Sequence, residues 1–269
     1  MSKLPFLIKE LQETWSLIIK KYPLVILASF LDLVYYVSFS FSLYNFYNNV
    51  SFHIRGVYSA LGASVKRLED LSPDSLQLGL QNQDQILYHY GQIAYHLAIL
   101  AAIMLVLWFV LQSINWYLAH RINGHKINPH LFFFRFVTST LIGMLLIAVI
   151  IFLSVNISVQ LVKTPLSLFN SDIINWVSVF LFLGVIYLLF SSYSLIHNLR
   201  VREHHRHILK NLETKLGGFA IAAGIIFIAN GLLWKLLYIN TFTTILWGVF
   251  FTLPSYTFCR VYFLRIMKK

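Results

Sequence analysis

Charge is what this sequence has least of. Only 12% of its 269 residues are Asp, Glu, Lys or Arg, while 58% are hydrophobic and the mean hydropathy is +0.70. A soluble domain carries about 25% charged residues. A chain this apolar cannot hide its surface inside one globule, so the bilayer must act as its solvent. Acid is scarcer than base, ten residues against 21, for a net charge of +11. A nucleic-acid partner would suit that balance, but the basic residues sit in short loops beside apolar runs, where they orient a membrane protein. No nucleic acid is expected. The single cysteine, Cys259, excludes an internal disulfide and reads as a small apolar residue in a packed helix. Gly-rich phosphate loops, metalloprotease helix motifs and serine nucleophile elbows are all missing, as is anything like an ABC nucleotide-binding domain. No cofactor is expected, and ATP-driven transport would need a partner chain.

Six long apolar stretches are present. About 20 apolar residues cross the hydrocarbon core, and only a helix satisfies its own backbone there. The stretches predict spans at Leu24–Tyr44, Leu97–Leu118, Phe136–Val159, Ile174–Ile196, Phe219–Tyr238 and Phe242–Leu264. The fold class is therefore all-α, a polytopic bundle of six transmembrane helices in a single membrane domain over 1–269. Residues 1–22 include Glu10 and Glu13, and no small-residue cleavage site follows the first span, which is expected to stay as an anchor.

Lys and Arg fall on alternate sides of these spans. Sixteen of the 21 lie in the N-terminal segment, in 119–135, in 197–216 and at the C-terminus; Arg55, Lys66, Arg67, Lys163 and Lys235 lie on the other side. The positive-inside rule puts both termini in the cytoplasm of a multi-pass cell-membrane protein. Tyr22, Tyr44, Tyr95, Trp116, Trp176 and Tyr238 at the span ends fit interfacial aromatic belts.

Two segments are amphipathic without spanning. Leu4, Ile8, Leu11, Trp15 and Ile18 recur at helical spacing, with Lys9, Glu10, Gln12, Glu13 and Lys20 facing away. This predicts an interfacial helix within 1–22 that lies on the inner surface and turns at Pro23. The second segment belongs to an outer loop over 45–95, partly helical, where Ile54, Tyr58, Leu61, Val65 and Leu68 mark one stripe. A loop of that length is usually functional.

Asp32 is the one acidic residue inside a span, about 12 Å deep at 1.5 Å per residue from Leu24. A carboxylate there costs several kcal/mol unless paired. Arg260 and Gln112 sit at matching depth. The set reads either as a cation or proton site, or as a structural ion pair or a protonated Asp hydrogen-bonded to a neighbour. Asn230 is a further polar candidate for joining helices or lining a cavity. Gly217, Ala220, Gly224 and Gly231 form a small-residue stripe on the fifth span, suited to close helix packing. Pro254 should kink the last span, with Ser255 or Thr252 satisfying freed carbonyls. Seven of ten histidines lie in two cytoplasmic loops: His120, His125 and His130, then His197, His204, His205 and His207. They loosely resemble the histidine boxes of membrane desaturases and hydroxylases, but the order differs and one box is missing. A basic face on anionic headgroups explains them better, and no metal site is expected.

The amphipathic start Leu4–Lys21, the six spans, the basic loop before the fifth span and the ending Leu253-Pro254-Ser255-Tyr256-Thr257-Phe258-Cys259-Arg260-Val261-Tyr262 resemble a group of prokaryotic six-helix membrane proteins. These are similar to the membrane domain fused to some glycerophosphodiester phosphodiesterases. The resemblance implies a helical bundle with an elbow helix; the catalytic domain is absent. The sequence thus points to a transport or transport-accessory component without catalytic activity. A scaffold binding lipids or other membrane proteins is the rival, and a di-metal lipid-modifying enzyme the third reading.

Overall fold

In lipid, backbone amides have no partners except one another, and the chain answers with helix. The computed structural model describes residues 4–68, 73–163, 171–196 and 211–268, and no strand occurs among them. The order is α1 (Leu4–Lys20), α2 (Tyr22–Leu68), α3 (Pro73–Leu107), a π turn at Trp108–Gln112, α4 (Ser113–Ile122), α5 (Pro129–Lys163), α6 (Ser171–Leu195), α7 (Leu212–Leu237), α8 (Thr241–Trp247), a second π turn at Gly248–Thr252, and α9 (Leu253–Lys268). Six of the described segments are long and apolar enough to cross a membrane. The all-α polytopic architecture is thus present. Two compact units divide the chain, one formed by 1–33 and 112–269 and the other by 34–111.

The expected outer loop over 45–95 is mostly helix instead. The first span continues without a break to Leu68, and α3 begins at Pro73. The Gln-rich stretch 77–92, whose apolar periodicity is weak, is helical too. Its period is weak because a helix laid beside a single neighbour needs only a narrow apolar seam. At 1.5 Å per residue the 47 residues of α2 extend about 70 Å, more than twice a 30 Å hydrocarbon core.

In the larger unit, α9 is the central element, packed by α1, α4, α6 and α7. Val261, Tyr262, Phe263 and Met267 are all but inaccessible. It belongs to the least apolar of the six spans. That inverts the rule of soluble proteins and follows from the solvent, because polar groups are costly against lipid and are drawn inward. Phe152, Phe180 and Phe227 are exposed, as side chains facing lipid would be.

Turns are set by local chemistry. Asn128 Oδ1 accepts from the His130 amide at 3.0 Å, with Pro129 opening α5. Asn240, in an extended conformation, accepts from Phe242 N at 2.7 Å and starts α8. Gly124, at φ +78°, ends α4: His125 N bonds His120 O at 3.0 Å and Gly124 N bonds Arg121 O at 3.1 Å. This double closure needs a left-handed residue, which glycine supplies without strain.

Candidate functional site

Asp32, with no exposed surface, accepts four hydrogen bonds from three side chains of its own unit. Arg260 grips it bidentately, Nη1 to Oδ2 at 2.7 Å and Nη2 to Oδ1 at 2.8 Å. Asn115 Nδ2 donates to Oδ1 at 2.7 Å and Gln112 Nε2 donates to the same oxygen at 3.3 Å. Gln112 Oε1 in turn accepts from Arg260 Nη2 at 2.9 Å, closing the ring. Bidentate, charge-assisted pairing of this kind is the strongest the side chains offer. Three of the sequence candidates, Asp32, Gln112 and Arg260, therefore meet. Asn115 was missed, although it lies three residues from Gln112 and so on the same helix face.

Both helices that bring donors to Asp32 carry a π turn nearby. Gln112 ends the first, and the second precedes Pro254. Proline lacks the amide that would continue the ladder. The helix widens ahead of it, so that Leu253 N bonds Gly248 O, while Ser255 Oγ donates to Thr252 O at 2.7 Å. The helix thus widens locally ahead of Pro254, with Ser255 in its expected role. Ser29 Oγ, three residues from Asp32, Thr257 Oγ1, three residues from Arg260, Thr252 Oγ1, two turns before Arg260, and Asn115 Oδ1 are buried without a hydrogen-bond partner among the described residues.

A second ionic cluster ties down α1. The sequence placed Glu10 on the outward face of this helix; the structure buries it completely. Arg265 Nε donates to Glu10 Oε2 at 2.9 Å, and Arg265 also pairs with Glu13. Leu7, Glu10 and Thr14, spaced by three and four residues, form the face that packs inward, and the Tyr262 hydroxyl reaches Leu7 O at 3.5 Å. Leu4, Ile8 and Trp15 stay exposed on the other side. Of the apolar stripe read from sequence, Leu4, Ile8 and Trp15 are the exposed members, while Leu11 and Ile18 are partly buried against the core. An elbow helix has two non-aqueous neighbours, lipid and bundle, and a single apolar period cannot separate them.

The small-residue stripe also needs correction. Ala220 and Gly231 are exposed, and a Cβ added at Gly224 or Gly231 would meet nothing. Gly217 faces Leu7 at 3.2 Å. The tight approach is made by Gly218, where a Cβ would stand 2.8 Å from Ile266 Cγ2, and by buried Ala222, whose carbonyl accepts from Cys259 Sγ at 3.4 Å. Gly218 and Ala222 have the four-residue spacing of helix-contact motifs, whereas 217, 224 and 231 are spaced by seven and drift around the helix. Asn230 lies apart from Asp32, bridging α7 to α9 by accepting from the Tyr256 hydroxyl at 2.9 Å.

Of the loop histidines, His120 is fully buried: its Nε2 donates to Tyr193 O at 2.9 Å and its Nδ1 lies 3.1 Å from His125 Nδ1. His130 is exposed. His197, His204, His205 and His207 fall outside the described residues. Among the described residues no group of three or more His, Cys, Asp or Glu is arranged to hold a metal ion. Comparison with protein-family models, with curated proteins and with solved structures finds no match for this chain.

Proposed function

We propose that this integral membrane protein is a transport-accessory or membrane-organising component with no catalysis of its own. The observation that carries the reading is the saturated Asp32 carboxylate: the intramembrane charge is engaged in joining helices rather than held open for a passenger. Its partners are then membrane lipids and other membrane proteins. In the orientation given by the basic residues, both termini are cytoplasmic and α1 lies along anionic headgroups of the cell membrane, Leu4, Ile8 and Trp15 toward the acyl chains. The long arms of α2 and α3 stand partly in the opposite aqueous phase, where partners can reach them.

One observation favours a carrier instead. The two π turns, and the unpartnered hydroxyls of Ser29, Thr252 and Thr257, give the cluster polar capacity beyond the ion pair; π turns recur at functional sites. The Asp32→Asn variant separates the two readings. On the accessory reading it loses stability. A variant that folds with wild-type stability but abolishes a proton or sodium flux seen with the wild type in proteoliposomes would establish the carrier.

A further inference from the structure

The smaller unit holds a cluster that the reading above does not use. His53 on α2 faces His89 on α3, Nδ1 to Nδ1 at 3.0 Å. His96, two turns further along α3, stacks on His53 with ring centroids 5.7 Å apart and planes at 30°. Tyr88 and Phe52 wall the group edge-on, 6.3 Å and 5.3 Å from His53. The approach is built in: a Cβ on Gly56, one turn from His53, would collide with the His89 ring. Only glycine lets that imidazole lie against α2. By the span limits read from the sequence, His53 lies nine residues, about 14 Å, beyond Tyr44, and His89 lies eight residues, about 12 Å, ahead of Leu97, which puts the pair within reach of water.

A hydrogen bond between two imidazole nitrogens needs one donor and one lone pair. It survives with both rings neutral or with one proton shared between them. With both rings protonated, the two Nδ1–H donors face each other without an acceptor, and His96 adds a third positive charge against the same ring. Beside them, Arg55 on α2 is exposed and carries a charge of the same sign, and Asp84 on α3 is exposed five residues from His89. Among the described residues no carboxylate contacts the three rings. Nor is any trio of His, Cys, Asp or Glu among the described residues arranged to hold a metal ion.

We propose that His53, His89 and His96 form a proton-operated clasp between α2 and α3, closed at neutral pH and opened when His53 and His89 are both protonated. Opening parts the two helices outside the hydrocarbon core and hydrates the buried His53 ring. The consequence is a change in the outer arms on acidification that leaves the membrane-embedded charge cluster alone, so the clasp stands or falls independently of the Asp32 reading.

The test uses the full chain in lipid nanodiscs with Cys259→Ser, spin labels at the exposed positions Ser59→Cys and Gln85→Cys, and a chelator present. The label-to-label distance should widen reversibly as the pH falls from about 7.5 to about 4.5, because burial and then the neighbouring His89 and His96 rings hold His53 below the usual imidazole range. His53→Asn and His89→Asn, checked for wild-type helicity at neutral pH, should each lose that pH dependence. His96→Asn, which keeps the pair and removes the third charge, should open at a lower pH than wild type. A distance that stays constant in the wild type overturns the proposal. So does a widening that persists in His53→Asn, or one that appears only when the chelator is replaced by a divalent metal.

Discussion

Removing the charge of Asp32 while keeping its shape is the sharpest perturbation the structure offers. Asp32→Asn leaves room for one acceptor oxygen but turns the other into a donor aimed at Arg260 Nη1, now 2.7 Å away. Arg260, itself mostly buried at 13% side-chain exposure, keeps its charge because a guanidinium cannot shed a proton. The loss should be that of breaking a buried pair from one side, about 3–5 kcal/mol. Arg260→Gln should cost less, because a stranded carboxyl can take up a proton and stay bonded to Asn115 and Gln112. The double variant carries neither charge and should regain a large part of the loss, giving a coupling of about 2–3 kcal/mol. Reversible unfolding in mixed micelles, titrated with a denaturing detergent, measures all four proteins. Strictly additive losses, or an Asp32→Asn protein as stable as wild type, would refute the ion pair as the tie between α2 and α9.

Other changes test the remaining joints. Gly218→Ala drives a Cβ to 2.8 Å from Ile266 and should destabilise by about 1–3 kcal/mol, whereas Gly224→Ala meets open space and should be neutral or stabilising; thermal scans in detergent distinguish them. Arg265→Gln strands the fully buried Glu10 and should release α1, seen as faster tryptic cleavage at Lys20 and Lys21, while Lys9→Ala, which loses only an exposed pair at 3.9 Å, should cleave at the wild-type rate. In a Cys259→Ser background, a cysteine at position 75 should react with an impermeant reagent added outside cells and one at position 205 should not; the reverse pattern would overturn the orientation drawn from the basic residues.

Six apolar stretches announced the spans, because a helix in lipid must be apolar along its whole length, and the six structural candidates sit on them. The depth argument brought Asp32, Arg260 and Gln112 to one level, because charge inside a bilayer leaves few alternatives. Other features were hidden for definite reasons. Glu10 looked outward because its burial depends on Arg265, 255 residues away. Gly218 was passed over for its neighbour because a one-residue rotation of a uniformly apolar helix leaves no trace in composition. The His53 cluster was invisible because 45–95 read as a partly helical loop, which does not fix which histidines meet.

The Asp32–Arg260 bond also sets a timetable. Its two halves are 228 residues apart in the chain. At a synthesis rate of about 5–20 residues per second, Asp32 waits about 11–46 s for its partner to be made. During that interval the first span holds a carboxyl with no guanidinium to meet it, so it must either stay at the water boundary or carry a proton into the lipid. Arrival of α9 converts a poorly inserted helix into a fixed one, which makes completion of the bundle a late, all-at-once event in biogenesis. A nascent chain stopped short of Arg260 should leave its first helix easy to extract, and a quality-control protease would have a simple mark by which to tell finished molecules from unfinished ones.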